Sequence, residues 1–181
     1  MSQQEMTVEL FGRQTNFEYS ETWLGYSILG LRVLVAWVFI QGGLEKILGD
    51  FTSVHFLEGV EESNPFFELF QFFAAHPELI DPLVMYGQLL IGLALLLGLA
   101  FRFAAAMGGL QMTLFWLASF EAGFMAGLPV EHGFVVTETL VYVVLLFGLG
   151  AWGAGRILGL DSRLEEEEFV QNNSWLKYLL G

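Results

Sequence analysis

Residues 23–48 read WLGYSILGLRVLVAWVFIQGGLEKIL, and the kind of molecule this chain makes turns on that run. A hydrocarbon layer of about 30 Å needs roughly 20 predominantly apolar residues as helix to cross it. The run exceeds that length, yet it carries Arg32 inside and Glu45-Lys46 at its far end. A charge within a span is costly and normally faces the protein interior or a cavity. At about 100° per residue, Arg32, Ala36, Phe39, Gly43 and Lys46 fall within an arc of roughly 80°. That face is expected to point into a helix bundle, with both basic residues on it.

The rest of the composition agrees with a membrane body. The chain has 181 residues, 55% of them hydrophobic, and a mean hydropathy of +0.57, too apolar for an ordinary soluble domain. The formal net charge is −13, from 20 acidic and 7 basic residues, and Lys46 and Lys177 are its lysines. Acidic, lysine-poor polar segments on an apolar body point to concentrated salt and to a halophile, such as a halophilic archaeon. Nucleic acid is not an expected partner, because there is no basic patch to neutralise phosphates. The chain is cysteine-free, so disulfides, thiolate metal sites and iron–sulfur clusters are excluded. The first twenty residues lack a basic stretch ahead of an apolar core, and a cleavable signal peptide is not expected.

Outward from the first span, residues 1–22 read as a polar cytoplasmic arm. Its Val8, Leu10, Phe11, Phe17 and Tyr19 suit the membrane surface, and Ser20 suits the N-cap of the span (23–48). Residues 50–80 form an outer interfacial segment, with a short helix over His55–Glu62. Ser63-Asn64-Pro65 then opens a Phe-rich helix too short to span and too aromatic for water, on which Phe66, Phe70 and Phe73 share a face. Asp81-Pro82 opens a second span, 82–100, and Phe101-Arg102-Phe103 is a tight link to a third, 103–121. Gly127 and Pro129 mark the next turn, and a fourth span covers 132–152. Residues 153–181 are an acidic cytoplasmic tail. The expected fold class is an all-α membrane protein, an antiparallel four-transmembrane-helix bundle with the interfacial Phe-rich helix between spans 1 and 2. Arg13, Arg102, Arg156, Arg163 and Lys177 fall on the side of the termini, which the positive-inside rule makes cytoplasmic.

Three stretches, LRVLVAWVFIQGGLEKIL, YGQLLIGLALLLGLAFRFAAAMGG and GAGRILGLDSRL, in this order and spacing, resemble the DoxX family of small four-helix membrane proteins and its DoxD relatives. Ala36 stands where that family often has glycine, and Gln88 where it often has glutamate. The resemblance implies a four-helix bundle that accompanies a redox system. Some relatives are subunits of a thiosulfate:quinone oxidoreductase, others accompany redox or oxidative-stress proteins, and many have no known activity. Activity carried by a partner subunit would be absent from this chain.

The candidate chemistry lies in the outer half of the bundle. Gln41, Glu45, Lys46, Gln88, Glu121 and Glu138 are the candidate ligand-binding residues, with Glu131 on the face of Glu138. If they converge, they make an outward-opening polar pocket with Lys46 at its rim. A quinone headgroup needs a donor or acceptor at each carbonyl and a proton route, which a buried glutamate supplies. Glu138 and Arg32 are therefore the catalytic candidates. In the plainer reading Arg32 ties helices through carbonyls or a carboxylate, Lys46 snorkels, and Glu138 holds helices together. Haem is not expected, since no histidine lies well inside a span, and no metal is expected either. His55, Glu58 and Glu62 could meet a metal from one helix only by a spacing that arises easily by chance. The leading expectation is a membrane subunit or accessory protein of a quinone-linked oxidoreductase, in the bilayer beside a partner subunit. The alternative is a non-catalytic scaffold that holds partners through its glycine seams and Phe-rich cap.

Overall fold

The structure is a computed structural model, and it describes residues 3–119 and 136–181. Two strands, β1 (Gln3–Leu10) and β2 (Arg13–Ser20), open the described chain. They pair antiparallel from Gln3–Ser20 to Leu10–Arg13. This corrects the all-α expectation. Met6, Val8 and Leu10 alternate on β1, Phe17 and Tyr19 alternate on β2, and the pairing puts all five on one face. Phe11 and Gly12, at φ 52° and 74°, form the two-residue turn whose twist matches paired strands.

Helix α1 (Glu21–Leu48) follows β2 without a linker. Its 28 residues extend roughly 42 Å at 1.5 Å per residue. Ile28, Arg32, Val35, Ala36, Phe39, Ile40 and Gly43 are its buried residues, which is the face drawn from the spacing of Arg32, Ala36, Phe39 and Gly43. Beyond it lie two short helices, α2 (Val54–Glu58) and α3 (Phe67–Ala74). Helix α2 stops at Glu58, so Glu62 does not continue the helix that carries His55, and His55, Glu58 and Glu62 are all exposed. On α3 the buried ring is Phe70, while Phe66 lies before the helix and is exposed. The small apolar cluster here joins Phe70 to Leu57, Val60 and Ala118.

Helix α4 runs Pro77–Leu97, five residues ahead of the Asp81-Pro82 start. Pro77 holds the first helical position, where its missing N–H costs nothing, and Pro82 lies inside the helix. Gly98 ends α4 at φ 63°. Leu99 N–H returns to the Ala94 carbonyl and Gly98 N–H to that of Leu95, a left-handed C-terminal cap that favours glycine. Helix α5 (Phe101–Ala118) starts three residues later, so Phe101-Arg102-Phe103 is its first turn and not a link. After residues 120–135 comes α6 (Glu138–Ala151).

Helix α1 packs along α4, α5 along α6, and α4 against α5. At the first seam the backbones nearly touch. A Cβ on Gly43 would lie 2.7 Å from the Leu89 nitrogen, and one on Gly92 would lie 2.7 Å from the Ile40 nitrogen. The main core joins Val35, Phe39, Leu95, Phe101 and Leu146. Helices α1 and α4 are long and apolar enough to cross a membrane. Leu34, Trp37, Leu90, Val144 and Phe147 are exposed, so the outside of the bundle is apolar as well as its core. Such an outer surface fits lipid better than water.

The tail is not a loose acidic strand. A 3-10 turn (Ala154–Arg156), α7 (Asp161–Leu164), α8 (Glu168–Asn172) and a second 3-10 turn (Ser174–Tyr178) bring the chain back to the bundle. There Phe103 N–H donates to the Leu179 carbonyl.

Candidate functional site

The two basic residues on the inner face of α1 serve opposite ends of the bundle, roughly 21 Å apart along the helix. At one end Arg32 is buried, and its Nη1 donates to the carbonyls of Ala154 (2.7 Å) and Ile157 (2.6 Å). Both carbonyls belong to the turn after α6, so the guanidinium fastens α1 to the start of the tail. Asp161, wholly buried, organises the same end. Its Oδ1 accepts from Ala100 N–H (2.7 Å) and its Oδ2 from Phe101 N–H (2.9 Å) and Gly181 N–H (2.8 Å). A carboxylate at the N-terminus of α5 satisfies donors that the helix leaves open and complements its dipole. The Asp161 N–H in turn donates to the Gly98 carbonyl. Gly155 is required here, because a Cβ on it would lie 2.4 Å from Asp161 Oδ2 and 2.5 Å from Phe101 Cβ. Outside this knot Glu165 hydrogen-bonds Arg156 at 2.6 Å. That bond, with the charges of Glu165 and Asp161, holds the Arg156 guanidinium above its ordinary range.

The other end is built differently. A cavity of about 570 Å³ lies between the 51–84 region and the facing sides of α4 and α5. Its walls are mostly Phe, Leu, Ile and Met side chains. Among the described residues, Lys46, Ser53, Gln111, Ser119 and Thr139 supply its polar groups. Lys46 Nζ donates to the Gly42 carbonyl at 3.2 Å and sits 5.5 Å from the centroid of the Phe51 ring, within cation–π range. One hydrogen bond leaves the ammonium further donors. Gln111 Nε2 reaches the Val84 carbonyl at 3.4 Å. The segment over the cavity is fastened at two points. Ser53 donates through N–H and Oγ to Asp81 Oδ1, and Asn64 Nδ2 donates to the Leu117 carbonyl at 2.9 Å.

The polar convergence expected from the sequence is therefore met only in part. Lys46 lines the cavity. Gln88 is buried beside it between α1 and α4, with its amide against Gly42, and it is not on the cavity wall. Gln41 and Glu45 bond each other at 2.8 Å on the exposed side of α1, away from the bundle. Glu138 is the first residue of α6 and is exposed, whereas Thr139 beside it faces the cavity. Glu121 and Glu131 lie outside the described residues. Arg32 does not line this cavity: its Nη1 is spent on backbone carbonyls. Reading charges alone missed Gln111 and Asp161. A glutamine alone in the apolar run of residues 107–118 was the available signal for Gln111. An aspartate in GAGRILGLDSRL, close after the last long helix, was the available signal for Asp161.

No solved structure matches the chain. A Haemophilus influenzae protein described as uncharacterized is 28% identical over 156 residues, covering 86% of this chain and 93% of the relative. The DoxX family model matches residues 27–121. That match runs from within α1 through the cavity segment, α4 and α5, and with it the apolar helices find their context: the chain belongs to the DoxX family of membrane proteins.

Proposed function

We propose that the protein is a membrane subunit or accessory protein of a quinone-linked oxidoreductase system, of the thiosulfate:quinone type, and that its cavity takes the quinone headgroup. Helices α1, α4, α5 and α6 are the four spans of this reading, with both termini cytoplasmic. The acidic, lysine-poor composition suits a halophile's cell membrane. The observation that carries the reading is the cavity of about 570 Å³ whose mostly apolar wall carries Lys46 and a few uncharged polar side chains. Its size lies within the roughly 300–1,000 Å³ of small-molecule sites. An apolar ring with carbonyl acceptors and an isoprenoid tail matches that lining. Lys46 donates to one carbonyl, and Gln111 orients the ring. Electrons come from a partner subunit.

The test is the organic extract of protein purified from its native membrane in mild detergent, read by mass spectrometry beside the co-eluting polypeptides. A stoichiometric quinone, lost in Lys46→Leu while the variant stays folded, supports the reading. A stoichiometric second protein with no quinone in either extract overturns the quinone site and favours the scaffold.

A further inference from the structure

The hairpin of β1 and β2 is short of stabilisation. None of its residues is buried, and an isolated two-stranded hairpin is marginal in water. Glu5 stands directly across from Glu18, a like-charge pair that costs stability. At the tip Phe11 adopts φ 52° and is fully exposed. A bulky side chain at positive φ is strained, and turns of this kind favour Asn or Gly there. Strain of this sort persists where it serves a purpose.

The two faces of the hairpin differ sharply. Met6, Val8, Leu10, Phe17 and Tyr19 share one with Gln4, Thr15 and, near the tip, Arg13, while Glu5, Glu9, Glu18 and Asn16 share the other with Gln3, Thr7 and Gln14. The hairpin joins α1 at Ser20–Glu21 without a spacer. Trp23 and Tyr26, stacked edge to face at 6.3 Å, are both about two-thirds exposed in the first turns of that helix. Exposed Trp and Tyr at the end of a span mark the headgroup level. The base of the hairpin is therefore held at the bilayer surface.

We infer that the hairpin is an interfacial anchor: its apolar face lies on the lipid surface, Phe11 inserts among the acyl chains, and the acidic face stays in water. The lipid supplies the apolar contact that a third strand would supply in a soluble protein, and it removes the cost of exposing Phe11. Being attached to α1, the hairpin fixes the depth and tilt of that helix.

The cysteine-free chain makes the test direct. Spin labels go on single cysteines at Leu10, Phe11 and Phe17, and at Glu9 and Asn16, in full-length protein. The protein is reconstituted in vesicles of phosphatidylcholine and phosphatidylglycerol in equal parts. Leu90→Cys on the exposed face of α4 and Glu166→Cys in the tail serve as lipid and water references. The expected result is alternation. Labels at 10, 11 and 17 collide with oxygen several-fold more than with a water-soluble nickel chelate, as at 90, and labels at 9 and 16 reverse that preference, as at 166. Nickel access at every hairpin position overturns the inference, because the hairpin then stands in water. Immobile labels shielded from both reagents also overturn it, because the face is then covered by protein. Each label reports on its own site, so a cysteine that shifts the turn at Phe11 leaves the strand positions to decide.

Discussion

Arg32 and Lys46 sit on one face of one helix, and the ends they serve have little in common. Around Arg32 the hydrogen bonds of the buried charges go to backbone, although the guanidinium Nε is left without a partner. Two carbonyls take the guanidinium, and three N–H groups take the Asp161 carboxylate. Around Lys46 the walls are mostly apolar and leave a cavity, and the ammonium keeps donors to spare. A buried charge with all its partners internal is architecture. A cation at the wall of a mostly apolar cavity keeps donors that a ligand could use, which is the basis of the proposed site. A basic residue inside a span thus does not define a site until its partners are known.

Perturbing the two ends should separate them. Asp161→Ala gives the largest loss, about 3–5 kcal/mol, because three buried backbone donors lose their acceptor at once. Unfolding of the purified protein in mixed detergent micelles, followed by its tryptophan fluorescence, measures it. Asp161→Asn, which keeps one oxygen acceptor, should lose less. Next comes Gly155→Ala at about 1–3 kcal/mol, the cost of overpacking a filled site, read in the same titration. At the cavity end Lys46→Leu should change stability by less than about 1 kcal/mol, since a shorter hydrophobic residue at the wall of an open cavity replaces a charge that is only half-buried. If the cavity holds the proposed quinone, the effect of this substitution appears instead as lost quinone. The smallest change is Glu165→Gln, below about 1 kcal/mol for an exposed pair and smaller still in high salt. Glu165 raises the Arg156 pKa, so the stability that shift contributes is complete below the ordinary arginine value. It disappears only as pH climbs through the raised one. Thermal unfolding across the neutral range should therefore show no pH dependence from this arginine.

Much of this architecture could be read from residue order. The spacing of Arg32, Ala36, Phe39 and Gly43 identified the buried face of α1, because a 3.6-residue period converts spacing into direction. The same arithmetic excludes Gln41, which lies about 180° from Arg32 around the helix. Grouping polar residues by depth alone, without rotation, placed it in a pocket it does not reach. Glu138 failed for another reason: it begins α6, and neighbouring Thr139 takes the inward position. The hairpin carried a period of two in Met6, Val8, Leu10, Phe17 and Tyr19, with Phe11-Gly12 between the strands. It lacked the Asn-Gly turn and the third strand that make such patterns convincing. Asp161 was the hardest to foresee. Its partners at Ala100, Phe101 and Gly181 are 61, 60 and 20 residues away, and they are backbone groups that no side-chain pattern reveals.

Photolabelling with an azido-quinone, followed by peptide mapping, sets the two ends against each other in one experiment. With the cavity as the quinone site, label falls on the segment from Phe51 to Phe73 and on α5 from Met107 to Ser119. Excess unlabelled quinone displaces it, and Lys46→Leu abolishes it. Displaceable label on Gly98–Phe101 or Ala154–Asp161, or labelling that excess quinone does not reduce, would contradict the assignment of the ligand to the Lys46 end.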